Sequence, residues 1–195
     1  MAAGAPGPRF RPPAREELSE RQQEFYRLYT TGPRASASAV FRLSDEEGNL
    51  MGPPAAWILA PEIGLALERF GYQMRYGIHV SDKAREAAIL AVGYELHSPF
   101  ELYAHERAGR AAGWTDEDLA AIAARRMPEG ADEQVRTVLT VAWTLLERGT
   151  LSEEEYAQAE GVLGVEHLFE IVTLVGYYRM VAMQLAVFRI LPPSD

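Results

Sequence analysis

The chain has 195 residues, 48% of them hydrophobic and 24% charged, the balance of a folded globular domain rather than a disordered one. Its formal net charge is −9 and no basic stripe offsets that acidity, so neither nucleic acid nor an anionic membrane surface is an expected partner. Cysteine is absent and Lys83 is the one lysine; disulfides, thiolate metal sites and thiol redox chemistry are excluded, and a lysine nucleophile has a single candidate in a polar run that reads as an exposed helix start.

Residues 1–14, rich in Ala, Gly, Pro and Arg, read as a disordered arm without the apolar segment of a secretory signal, so a cytoplasmic location is expected. Residues 15–195 then form one domain. Leu18, Phe25, Leu28 and Tyr29 among charges predict an amphipathic helix over 15–30. Residues 31–52, with Gly32-Pro33, Gly48-Asn49 and Gly52-Pro53-Pro54 at their end, predict a long loop. Trp57, Ile58 and Leu59 make a short apolar turn ended by Pro61, and Ile63, Leu67 and Phe70 predict a helix over 62–75.

A helix over 81–97 starts at a Ser81 cap and is apolar on most faces, which marks it as buried. A helix over 99–112 ends at Gly113, and Thr115 caps another that runs to about Arg125. Helices over 131–149, 152–163 and 165–190 complete the chain. The most apolar stretch, Leu168 to Leu191, carries Glu170, Arg179, Gln184 and Arg189, which argues for a buried or interface helix and against a membrane span. No alternating run predicts a strand, so the fold class is all-α.

Four residues carry the candidate chemistry: Glu86, Ser98, Glu101 and His105. Ser98, Glu101 and His105 are spaced three and four apart, which sets them on one helix face. Glu86 lies one turn into the buried helix, where a carboxyl has a raised pKa unless cations or donors compensate. A carboxyl–imidazole pair beside a buried carboxylate suits proton transfer at neutral pH. The same residues also fit structural roles. Ser98-Pro99-Phe100-Glu101 has the form of a capping box with proline at the first helical position. His105 fits a hydrogen-bonded core histidine, and Glu86 a salt-bridge partner of Arg85, Arg107 or Arg110. Glu101 and His105 at i, i+4 suit one metal ion, but no His-x-x-x-His or Glu-x-x-His pair occurs. No carboxylate recurs at matching spacing from His79, His97 or His167, so no metal site is expected. No phosphate loop or nucleophile elbow is present.

The run Glu86-(x11)-Ser98-(x2)-Glu101-(x3)-His105, followed by Ala108 and Ala111-Ala112-Gly113-Trp114-Thr115, resembles the hallmark of the carboxymuconolactone decarboxylase / alkylhydroperoxidase-D-like superfamily. In the peroxidase branch cysteines stand at the positions of Ser98 and Glu101. The run from Ser98 to His105 is similar to the cysteine-free branch that includes 4-carboxymuconolactone decarboxylase. Gly52-Pro53 with Trp57-Ile58-Leu59-Ala60-Pro61-Glu62, and Gly176-Tyr177-Tyr178-Arg179-Met180, extend the likeness over about residues 50–190.

The resemblance implies a helical bundle built around an antiparallel helix pair, assembled as a trimer or hexamer with sites near subunit contacts. It implies a cofactor-free lyase or isomerase acting on a small cyclic organic acid, lactone or enone. His105 and Glu101 are then the acid–base groups, Glu86 orients them, and Ser98, Tyr177, Tyr178 and Arg179 contact the substrate. Two rival readings are an alkylhydroperoxidase-like antioxidant protein, opposed by the missing cysteines, and a non-catalytic helical oligomer or binding module. An enzyme should place Glu101 and His105 in a closed apolar pocket; a scaffold should leave them to capping and surface contacts.

Overall fold

Ser81, Thr115 and Asp132 each stand in extended backbone immediately before a helix, and each side chain accepts a hydrogen bond from the N–H three residues on. These caps set the frame of the computed structural model, which describes residues 9–32 and 44–193. Among the described residues eight α-helices occur, no strand occurs, and 71% of residues are helical. The helices are α1 (Glu20–Thr31), α2 (Pro53–Trp57), α3 (Pro61–Tyr76), α4 (Asp82–Glu95), α5 (Pro99–Ala111), α6 (Asp116–Ala123), α7 (Glu133–Arg148) and α8 (Glu153–Phe188). The described residues divide into two compact units. One takes those up to Phe70 and those from Met183 onward; the other is Gly71–Ala182.

In the first unit, the helix expected over 15–30 is interrupted. A 3-10 turn spans Arg15–Glu17, Leu18 is extended, and α1 starts only after Ser19. The reason is local: Ser19 and Gln22 form a capping box, which fixes the helix start there. Phe25 and Tyr29 are the buried face of α1, and Gln22 Nε2 donates to the Ile58 carbonyl at 3.0 Å. The apolar turn expected at Trp57 is the end of α2, started by Pro53-Pro54. Trp57 Nε1 donates to Gln184 Oε1 at 2.8 Å. Residues 1–8 of the expected arm and residues 33–43 of the expected loop lie outside the described residues. From residue 9 onward, Phe10 meets Phe188 edge-on with ring centroids 6.0 Å apart.

In the second unit α4 is the hub, packed against α5, α6 and α7. Its alanines and Ile89, Leu90 and Val92 are buried on all faces, as its apolar character requires. Residues 96–98 turn the chain from α4 into α5. The two helices run antiparallel: Gly93 faces Glu101 and Leu102 near the turn, and Gly109 faces Leu90 farther from it. The turn closes with Ser98 N–H to the Gly93 carbonyl and His97 N–H to the Tyr94 carbonyl, which puts His97 in the left-handed region with φ 49°. Lys83 lies with Nζ 4.3 Å from the centre of the Trp114 ring, whose Nε1 donates to the Lys83 carbonyl.

α8 is broken at Gly164, where φ is 75° and ψ 160°. That region is essentially restricted to glycine, and it separates the two helical stretches expected on either side of residue 164. By length and composition α8 is apolar enough to cross a membrane. Within the second unit its Leu168, Ile171, Leu174, Val175, Tyr177 and Tyr178 are buried, while Val165, Phe169 and Val172 are exposed.

Candidate active site

The antiparallel turn brings Glu86 on α4 against His105 on α5. Glu86 Oε2 lies 2.7 Å from His105 Nδ1, and both side chains are buried. One turn back along α5, Glu101 Oε2 lies 3.4 Å from His105 Nε2. That distance is an electrostatic approach rather than a short hydrogen bond. The imidazole therefore sits between two carboxyl groups. With Glu86 ionised, Nδ1–H donates to it, and Nε2 is the ring nitrogen that faces Glu101.

Burial pushes the Glu86 carboxyl up, but His105, Arg75 and Arg85 together outweigh it and hold the pKa below its ordinary value. The compensation that a buried carboxyl needs is thus supplied by the His105 ring and two arginines. Arg85 contributes from Nε and Nη2, each 3.3 Å from Glu86 Oε1. Of the three arginines weighed as partners for Glu86, Arg85 is the one in contact. Arg107 places Nη1 on the Tyr103 carbonyl, and Arg110 turns to Glu106 and Asp116.

Arg75, near the end of α3, was not legible as a site residue. It is buried, and its charge acts on Tyr178, Glu86 and Glu101. Burial lowers its pKa, and the neighbouring Tyr178, Tyr76, Glu86 and Glu101 raise it by more. Tyr178 from α8 closes the cluster: its ring meets His105 edge-on at 5.1 Å between centroids, and Tyr177 meets Tyr178 likewise at 5.3 Å. Burial raises the Tyr178 phenol well above its ordinary pKa, against the pull of Arg75, so it remains a neutral hydrogen-bond donor.

Ser98, Glu86, Glu101, His105, Tyr177 and Tyr178 are all buried in this unit. Arg179 is not with them. Its Nη1 turns to the Leu145 carbonyl of α7 at 3.4 Å, which places it apart from the other expected substrate contacts.

The capping box expected at the start of α5 does not form. Ser98 occupies the cap position with proline following, yet its hydroxyl accepts no hydrogen bond from the first turn. Ser98 Oγ is buried and has no hydrogen-bond partner among the described residues. The backbone explains this. Ser98 is also the last residue of the turn that closes α4, tied by its N–H to Gly93, and its ψ is 99°, against 151° to 177° at Ser81, Thr115 and Asp132. Glu101 is turned inward beside His105. The pair thus does not make the surface contacts of a scaffold. A cavity of about 180 Å³ in the same unit is lined by Arg136, Thr140, Leu151, Val162 and neighbours, and shares no residue with the cluster.

Fold and cluster together define a class: an all-helical, thiol-free protein with a buried carboxyl–imidazole–carboxyl cluster carried mainly by an antiparallel helix pair. Residues 61–143 match the model of the carboxymuconolactone decarboxylase family. The match covers 83 of the 195 residues, and over this segment the chain is similar to that family. The matched stretch contains Glu86, Ser98, Glu101 and His105, and ends before Tyr177 and Tyr178. Neither the curated proteins nor the solved structures contain a match to this chain.

Proposed function

We propose that the chain is a cofactor-independent lyase or isomerase that uses general acid–base chemistry on a small cyclic organic acid, lactone or enone. The observation that carries this reading is His105 held between Glu86 and Glu101 in a buried, mostly apolar setting. Proton transfer at Nε2 gains there from a fixed tautomer and a low local dielectric. In a decarboxylation the C–C bond to the carboxylate breaks, carbon dioxide leaves, and the electron pair enters a conjugated enolate. A proton then goes to carbon from Glu101 in its acid form, or from His105 protonated at Nε2 by solvent beforehand. In an isomerisation the same pair removes and replaces the proton. Arg75 supplies a positive charge for the anionic substrate, and the neutral Tyr178 phenol and Ser98 hydroxyl supply donors for a developing enolate oxygen.

A turnover screen over small lactone acids and cyclic enones tests the reading, with Glu101→Gln as the discriminating variant. Gln keeps the size and hydrogen-bonding capacity of Glu but transfers no proton. A folded Glu101→Gln protein is expected to lose about 10²–10⁴ in rate. Near-full activity would assign Glu101 to structure, and no turnover by the wild type on any member of the screen favours a non-catalytic module.

We also propose self-association, as the family resemblance implies. On α8 Val165 and Phe169 are 61% and 70% exposed, and Val172 follows three residues on. This i, i+4, i+7 stripe is the pattern of a helix face that meets a partner, and a second copy supplies an identical stripe. Light scattering at micromolar concentration is expected to show an oligomer that Phe169→Glu weakens. A wild-type monomer under those conditions overturns the assembly.

A further inference from the structure

Spacing along the chain did not disclose one cluster of ligating side chains. His79 lies in the turn between α3 and α4, and His167 and Glu170 lie one helical turn apart on α8, beyond the break at Gly164. Each offers one ligand atom, and these atoms lie within 4.8 Å of one another. We propose that His79, His167 and Glu170 form a binding site for a borderline first-row divalent cation of the zinc class, separate from the acid–base cluster.

The arrangement has the parts such a site needs. Glu170 is held in place: its side chain is 13% exposed, against 65% for His79. The His79 backbone N–H donates to Glu170 Oε2 at 2.9 Å, which fixes the carboxylate and leaves Oε1 facing the His79 ring. A hydrogen-bond donor that orients a ligating carboxylate is the usual outer support of a metal site. Oε1 lies 2.8 Å from His79 Nδ1, so without an ion a single proton joins them. His167 brings a second imidazole, stacked on the first with centroids 5.9 Å apart and planes 22° from parallel.

Zinc bonds of about 2.1 Å at tetrahedral angles set ligand atoms about 3.4 Å apart. Small rotations of the exposed His79 ring and the half-buried His167 ring close the difference. An ion replaces the shared proton and draws both rings onto one centre. Two imidazoles and one carboxylate favour zinc over magnesium or calcium, which prefer all-oxygen ligands. The partly exposed position leaves room for water as a further ligand. The negative charge of Glu166 also acts on His79 and favours a cation. Binding would tie the turn before α4 to α8, the elements that deliver Glu86 and Tyr178. The inference stands independently of the reaction proposed above.

Untagged protein, stripped with a chelator and titrated with zinc alone, tests it by calorimetry and thermal melting. The expected result is one zinc per chain with a dissociation constant on the order of 1 μM or tighter, and a melting temperature that rises with zinc concentration. His167→Ala and Glu170→Gln should each weaken binding by about tenfold or more, while His97→Ala, distant in the fold, should bind as the wild type does. Because His167 is half-exposed, its replacement reads binding without the risk of unfolding the core. The proposal is overturned if the wild type shows no saturable binding at about 100 μM zinc, if either site variant keeps wild-type affinity, or if His97→Ala is the variant that loses it.

Discussion

His105→Gln is expected to leave a folded protein whose turnover on an authentic substrate falls by about 10²–10⁴. The two effects separate because their origins differ. Gln is close to His in volume, so α5 keeps its packing against α4, and the stability cost should stay within the ordinary range of about 0.5–3 kcal/mol. Catalysis has no such tolerance. Glu86 fixes Nδ1 and leaves Nε2 facing Glu101, and an amide neither accepts nor releases a proton at neutral pH. Circular dichroism and thermal melting report the fold, and initial rates report the chemistry. A variant that keeps both its fold and full activity rules out the acid–base mechanism. The missing cysteines point the same way: with no thiolate available, dithiol-dependent peroxide reduction has no nucleophile on this chain.

Features set by a few neighbouring residues were legible in the sequence. Ser81 and Thr115 cap α4 and α6 because a short side chain oxygen reaches an N–H three residues on, whatever the rest of the chain does. Gly113 takes φ 97° at the end of α5, and Gly164 breaks α8 where two separate helices were expected. The i, i+4 relation of Glu101 and His105 needed only helical periodicity, and the family pattern added Glu86.

What failed was decided by tertiary packing. Ser98-Pro99-Phe100-Glu101 has the letters of a capping box, but the preceding helix claims the Ser98 backbone, and both side chains turn inward. Arg75 is eleven residues upstream of the motif on another helix, where periodicity alone describes one more charged residue. His167 and Glu170 are a local i, i+3 pair, but His79 reaches Glu170 across 91 residues of chain, a juxtaposition that no local pattern encodes. Arg179 follows Tyr178 directly, yet one residue of helix rotation carries it to the α7 carbonyl instead of the cluster.

Removing the Glu86 carboxylate is expected to have the largest effect on stability. Glu86→Ala leaves Arg75, Arg85 and His105 without the anion they share, and breaking a buried charge network in this way costs about 3–5 kcal/mol. Glu86→Gln keeps an oxygen to accept from His105 Nδ1–H, so it should be the milder variant, with the charge contribution isolated from the hydrogen bond. The pH dependence carries the same signature. The folded-state pKa of Glu86 lies below its ordinary 4.5. In the window between the two values the unfolded chain binds more protons, so stability rises with pH there. The contribution is complete above about pH 4.5 and is lost as pH falls through the depressed folded value. Denaturant melts of wild type and Glu86→Gln across that acid range should therefore converge as pH drops, the wild type losing its advantage. Parallel curves, with the same difference at neutral and acid pH, would show that the Glu86 charge contributes nothing to holding α4 and α5 together.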